Sequence, residues 1–200
     1  MGCDMQFSGL QAPFFPQSYQ RDVGGFSLLE LMITLLIIAL LVSLAMPNFM
    51  SRVQDDRLTS QINEFAAALY LTRSEAIKRG VRVTLCKSSD GLTCTTANGW
   101  EQGWLIFEDN NSDATLNNIS ELIVKHEALN PNLRLRGNNL VADYISYTAS
   151  GHVKTTSDAI MSGSLTLCDN RTDPQVTMKK LVLIGSGRFR IEAINVNDCL

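Results

Sequence analysis

The sequence predicts an α+β protein: a long N-terminal α-helix, membrane-spanning in its first half and kinked near Pro47, packed on an antiparallel β-rich globular domain. Three observations lead there. No residue from 31 to 50 is charged, and at 1.5 Å per residue such a run reaches about 30 Å, the thickness of a bilayer core. Apolar residues then recur at spacings of three and four as far as Arg79. From Val81 onward the spacing changes to two, with Gly, Asn, Asp and Ser clusters between the runs.

The apolar run reads as a retained anchor rather than a secretory signal, which has a shorter core and a small-residue cleavage site behind it. Here the run continues into "SRVQDDRLTSQINEF", which keeps a helical pattern. Flanking charge says little about orientation, because Arg21 is followed by Asp22, and Arg52 and Arg57 are offset by Asp55 and Asp56. The net charge of −3 argues against a protein that coats nucleic acid through bulk positive charge.

Glu30 stands at the start of this run. A carboxylate in a spanning segment costs roughly 2.5–3.5 kcal/mol and normally has a partner. Gly24 and Gly25 disfavour helix immediately before "FSLLELM", so the Gly25–Phe26 bond is an accessible junction. Cleavage there makes Phe26 a new N-terminus and Glu30 the fifth residue. The freed amino group is a cation able to meet the carboxylate of an adjacent chain, a device for setting register.

The stretch "GFSLLELM" resembles the processing site of type IV prepilins and type II secretion pseudopilins. The resemblance implies that a prepilin peptidase cuts after Gly25 and methylates Phe26, that Glu30 aligns subunits during filament assembly, and that Pro47 is the kink-forming proline. The leader, 1–25, is longer and less basic than is usual in that family.

Beyond Pro47 the stripe Val53, Leu58, Ile62, Phe65, Ala66, Leu69, Ala76 and Ile77 makes an amphipathic helix. The end, "EAIKRG", puts basic residues in the last turn and Gly80 just past it. One helix is expected from about Phe26 to Arg79, bent where Pro47 removes a backbone donor.

The runs "VRVTLC", "GWLIFED", "ELIVKHEAL", "NLRLRG", "DYISYTASGHV", "GSLTLCD", "KKLVLIG" and "GRFRIEAI" read as eight strands, forming antiparallel sheets against the helix. Their order, ending in "GRFRI", resembles the FimT/FimU–GspH branch of minor pilins. The expected organisation is leader 1–25, a membrane or filament-core half-helix 26–50, an amphipathic half-helix 51–80 and a periplasmic β-rich domain 81–200.

Four cysteines, Cys86, Cys94, Cys168 and Cys199, follow the anchor; Cys3 precedes it. With no C-x-x-C and two histidines, a metal site is poorly supported, and two disulfides in an oxidising compartment are the better reading. Of three possible pairings we favour Cys86–Cys94, a short loop, and Cys168–Cys199, which ties down the C-terminus. The C-terminal domain is therefore expected outside the cytoplasm.

Three further constellations carry candidate chemistry. Asp109, Asn111 and Asp113 alternate like the start of a calcium loop, but Ala114 replaces the turn glycine and Ser120 the bidentate glutamate; the segment reads as a solvated hairpin loop. Arg188 and Arg190, two apart on a strand, point to one face with Phe189 and Ile191 towards the core. Paired arginines suit phosphate oxygens, and Gly187-Arg188-Phe189-Arg190 matches the G-R-x-R element that takes part in DNA binding in FimT proteins. Arg171, Lys179 and Lys180 are candidates to extend that patch, with Glu192 as a competing partner for Arg190. His126 and His152 lie in strand-like segments without a nucleophile motif, so no catalytic set, metal or cofactor is expected.

The function implied is a minor pilin built into or priming a type IV pilus. The alternatives are an H-type minor pseudopilin of type II secretion and a DNA-binding pilin for natural transformation. The implied partners are other major and minor pilins or pseudopilins, prepilin peptidase, an inner-membrane assembly platform, the membrane and, in the third reading, DNA.

Overall fold

The computed structural model describes residues 25–172 and 176–199; within that range the side chains of Leu44, Ala45, Pro47 and Asn48 are outside the description. Residues 1–24 of the expected leader 1–25, with Cys3, therefore lie outside it. The chain divides into two compact units, one ending at Met46 and the other comprising Pro47–Leu200.

The first unit is helical from Leu28, where helix α1 (Leu28–Arg79) begins. Ser27 precedes the first turn, and its carbonyl accepts the Leu31 amide at 3.1 Å. The hydroxyls of Thr34 and Ser43 donate back to the carbonyls of Leu31 and Leu40, so neither leaves a polar group unmet in apolar surroundings. Every described side chain from Phe26 to Ser43 is exposed. A helix apolar on all sides is one that other molecules bury. Among the described residues no helical stretch is long and apolar enough to cross a membrane. The helix assignment itself runs unbroken through Pro47.

The second unit is built on the amphipathic part of α1. Leu58, Ile62, Phe65, Ala66, Leu69 and Ala76 are buried, as are Ala68 and Thr72. These fall three and four apart and make one stripe. Ile77, expected in that stripe, is 52% exposed: it sits in the last turn, beyond the core. Gly80 ends the helix with φ +70°, its amide bonded to the carbonyl of Ala76 at 3.0 Å. Such a left-handed residue is the usual helix stop, and glycine adopts it without strain.

Eight strands follow: β1 (Val83–Lys87), β2 (Trp104–Glu108), β3 (Leu122–His126), β4 (Arg134–Gly137), β5 (Tyr144–Tyr147), β6 (Gly163–Cys168), β7 (Thr177–Leu183) and β8 (Phe189–Asn195). They form two antiparallel four-stranded sheets, ordered β3-β2-β1-β5 and β4-β6-β7-β8. One core joins the α1 stripe to Val83, Leu85, Trp104 and Ile106 of the first sheet and to Leu165, Leu167, Leu181 and Leu183 of the second. At its centre Phe65 meets Trp100 and Trp104 edge-on, with ring centroids 5.3 and 5.1 Å apart, the arrangement aromatic quadrupoles favour.

Strand β1 is buried at all five positions rather than at alternate ones. Its second face is covered by a smaller cluster of Cys86, Leu105 and Phe107, roofed by Cys94, Leu116 and Leu122. The loop after β1 is held there by a disulfide between Cys86 and Cys94. Lys87 is buried beside it, paired with Asp143 at 2.7 Å and donating to the carbonyls of Thr96 and Asn98. A second disulfide joins Cys168, at the end of β6, to Cys199.

Candidate functional site

Two surfaces carry the residues singled out in the sequence. The first is the N-terminal end. Phe26 is 82% exposed, and no described residue lies within 4 Å of where a Cβ on Gly25 would stand. Glu30 lies in the first turn of α1, where the partial positive charge of the helix end favours a carboxylate. Its side chain is exposed and makes no ion pair among the described residues.

The second is the tip of the β7–β8 hairpin, the turn 184–188. Arg188 is exposed at that tip. Arg190 follows in β8 opposite Val182, and its guanidinium pairs with Glu192 on the same face. Phe189 is half-buried, its ring centroid 4.6 Å from that of Tyr70 on α1. Ile191, expected in the core, is 38% exposed, because β8 is the edge strand of its sheet. Behind the tip, Tyr147 is buried and its hydroxyl has no hydrogen-bond partner among the described residues; burial pushes its pKa up.

The wider cationic patch does not form as expected. Arg171 is spent on carboxylates: Nε donates to Asp169 at 2.6 Å and Nη1 to Asp55 of α1 at 2.8 Å. Burial opposes its charge, and these two hydrogen bonds more than offset it, raising its pKa. Lys179 and Lys180 are consecutive on β7 and so face opposite ways. Lys180, opposite Glu192, shares the Arg190 face; Lys179, opposite Ala193, does not. Nothing in the sequence pattern signalled the Arg171 pairing, which spans 116 positions.

The loop after β2 is not simply solvated. Asp109 is buried and accepts from the Thr84 hydroxyl at 2.7 Å and from the amides of Asp113 and Ala114. Asp113 accepts from Asn117, Asn111 and the Thr115 amide. The carboxylates are thus occupied by the loop's own donors, and among the described residues no group of three His, Cys, Asp or Glu side chains is placed to hold a metal ion. His126 stacks on Trp104 with ring centroids 3.8 Å apart, and its Nε2 meets Glu64 of α1 at 2.7 Å. His152 meets Ser150.

A long helix with one carboxylate in its first turn, packed further along on two antiparallel sheets, is the architecture of a pilin-type subunit. Residues 61–187 match the family described as type II transport protein GspH, and residues 20–46 match the prokaryotic N-terminal methylation motif. The chain belongs to the GspH family of minor pilins and pseudopilins. Its fold is similar to that of the type IV minor pilin FimU of Pseudomonas aeruginosa, with a TM-score of 0.53 at 20% identity, covering 74% of this chain and 98% of that one. A second crystal form of FimU gives 0.51, also at 20% identity, covering 71% and 99%. The minor pseudopilin EpsH of Vibrio cholerae gives 0.46 at 14% identity, covering 68% and 97%. No curated protein matches the chain.

Proposed function

We propose that this chain is a minor pilin of a type IV pilus, acting by assembly and not by turnover. It is made as a single-pass inner-membrane precursor with its C-terminal domain in the periplasm. Prepilin peptidase removes the leader 1–25 after Gly25 and methylates Phe26. Residues 26–50 lie first in the membrane and then in the filament core, bent near Pro47; residues 51–80 carry the periplasmic domain 81–200, which contacts neighbouring subunits. An inner-membrane platform drives the transfer.

The observation that carries this reading is Glu30. It is the only charged residue from Gly25 to Met50, it is exposed, and no described residue of its own chain pairs with it. A carboxylate in that setting calls for a partner, and the amino terminus freed at Phe26 of another subunit is the fitting one. Intact-mass measurement of the protein extracted from membranes should find methylated Phe26 at the N-terminus. Glu30→Val should process normally yet vanish from sheared filaments; an uncut precursor in the wild type overturns the reading.

A second reading, a type II secretion pseudopilin, is favoured by the description attached to the family match over 61–187. Deletion separates the two: loss of filaments supports the pilus, loss of a secreted enzyme with filaments intact supports secretion. A DNA-binding pilin is supported by Arg188, which makes no ion pair among the described residues and sits exposed at a hairpin tip. Gel-shift binding that falls steeply with salt and is lost in Arg188→Ala would favour it; Arg190, already paired with Glu192, should matter less.

A further inference from the structure

Within the second unit a cavity of about 650 Å³ opens between α1 and the segments that follow β3 and β6. Gln54, Arg57, Ser60 and Gln61 form its helix wall, and Asn132 and Asn170 face them. Leu133 is its one apolar side chain. The size is that of a small-molecule site, but the lining is amide, hydroxyl and guanidinium.

Two guanidinium groups, those of Arg57 and Arg171, line this cavity among amide and hydroxyl side chains that both donate and accept. Among the described residues Asp169 is the one carboxylate of its lining, and both of its oxygens accept from Arg171, one from the backbone amide at 2.9 Å and one from Nε at 2.6 Å. Arg171 is neutralised in turn by Asp55 and Asp169, yet its Nη2 is buried with no acceptor among the described residues. Arg57 is exposed and makes no ion pair among the described residues. An anionic group bearing several oxygens would complement Arg57 and the Nη2 of Arg171.

Position narrows the source. Met50 ends the uncharged run, and Gln54 to Arg57 lie about 6–10 Å further along the helix axis. Helical side chains lean towards the N-terminus, so the Arg57 guanidinium reaches back towards the end of that run. This is the depth of the headgroup layer, about 5–8 Å thick outside each face of the hydrocarbon core. We propose that the cavity binds the phosphodiester headgroup of a membrane phospholipid. Arg57 takes two phosphate oxygens in its planar fork, the amides and Ser60 take the ester and headgroup oxygens, and the acyl chains stay in the bilayer. The inference rests on the membrane-anchored reading above.

The test is native mass spectrometry of the full processed chain in neutral detergent, titrated with phosphatidylglycerol, phosphatidylethanolamine, diacylglycerol of the same chain length, or inorganic phosphate. One phospholipid should be retained at least about tenfold better than diacylglycerol, and Arg57→Gln should lose that preference about tenfold, the worth of one charge-assisted contact. Arg134→Gln, on β4 and outside the cavity, should retain it. Equal retention of diacylglycerol, unchanged retention by a folded Arg57→Gln chain, or binding of inorganic phosphate without lipid each overturns the proposal. The same spectra report whether Phe26 is exposed and methylated, so failure of the pilin reading would be seen separately.

Discussion

Arg73 of α1 donates from Nη1 to the carbonyl oxygen of Gly187, 3.0 Å away and 114 positions later in the chain. Gly187 has φ +79°, and a Cβ there would stand 2.1 Å from the carbonyl oxygen of Gly151. Gly151 belongs to the turn after β5, so helix, first sheet and second sheet converge on this point. The hairpin tip that presents Arg188 is thereby pinned to the helix rather than left to move by itself.

Gly187→Ala should therefore destabilise the domain by about 2 kcal/mol or more, since left-handed strain and a backbone clash act together. Arg73→Ala should cost about 1.5–3 kcal/mol, the range for a hydrogen bond to a charged group. Urea unfolding measures both. A Gly187→Ala domain as stable as the wild type would mean that the two turns are not packed this closely.

Phe65 is fully buried between Trp100 and Trp104. Phe65→Ala should cost about 3–5 kcal/mol and change the tryptophan emission, whereas Ile77→Ala, at an exposed position of the same helix, should cost less than about 1 kcal/mol. Equal effects would contradict the orientation of the α1 stripe.

The two disulfides close loops of unequal length, with sequence separations of 8 and 31. On the chain-entropy account the longer loop stabilises more, about 4 against about 2.5 kcal/mol. Replacing Cys168 and Cys199 by serine should lower the melting temperature further than replacing Cys86 and Cys94. The reverse order would mean that packing of the loop after β1 outweighs the difference in loop entropy.

Acid should weaken the domain through its loop carboxylates. Asp90 accepts from the amides of Leu92 and Thr93 and from the hydroxyls of Thr93 and Ser88, which hold its pKa well below the usual carboxylate range. Asp113 is lowered by Asn117 first, then by the Thr115 amide and Asn111. Because these folded-state values lie below the unfolded ones, their contribution is present above about pH 4 and is lost as pH falls through the folded values. Melting temperature should decline from about pH 4 downward, and Asp90→Asn should flatten that decline. An unchanged slope in the variant would remove Asp90 from the account.

Much of this fold could be read without coordinates. The change of period at Val81 separated helix from strands, and all eight strand runs appear as strands, because a repeating face is written into each segment by itself. The stop at Gly80 was equally visible, since only local backbone strain is involved. At the candidate sites, Gly25, Phe26 and Glu30 were legible as a contiguous motif, because the signal lies in neighbouring residues and not in tertiary contacts. The cationic patch was less legible: spacing put Arg188 and Arg190 on one face and marked Glu192 as a partner for Arg190, which the structure shows, but it could not say that Arg171 belongs to Asp55.

By itself, then, the sequence determined the elements, the uncharged run with its single carboxylate, and the even set of cysteines available for pairing. Only the tertiary structure decided which charges remain available, why β1 is buried on both faces, that Ile77 and Ile191 stay outside the core, and that a polar cavity opens beside Arg57. The physical reason is that periodicity is a property of neighbours along the chain. Charge neutralisation and burial depend on which distant segments meet.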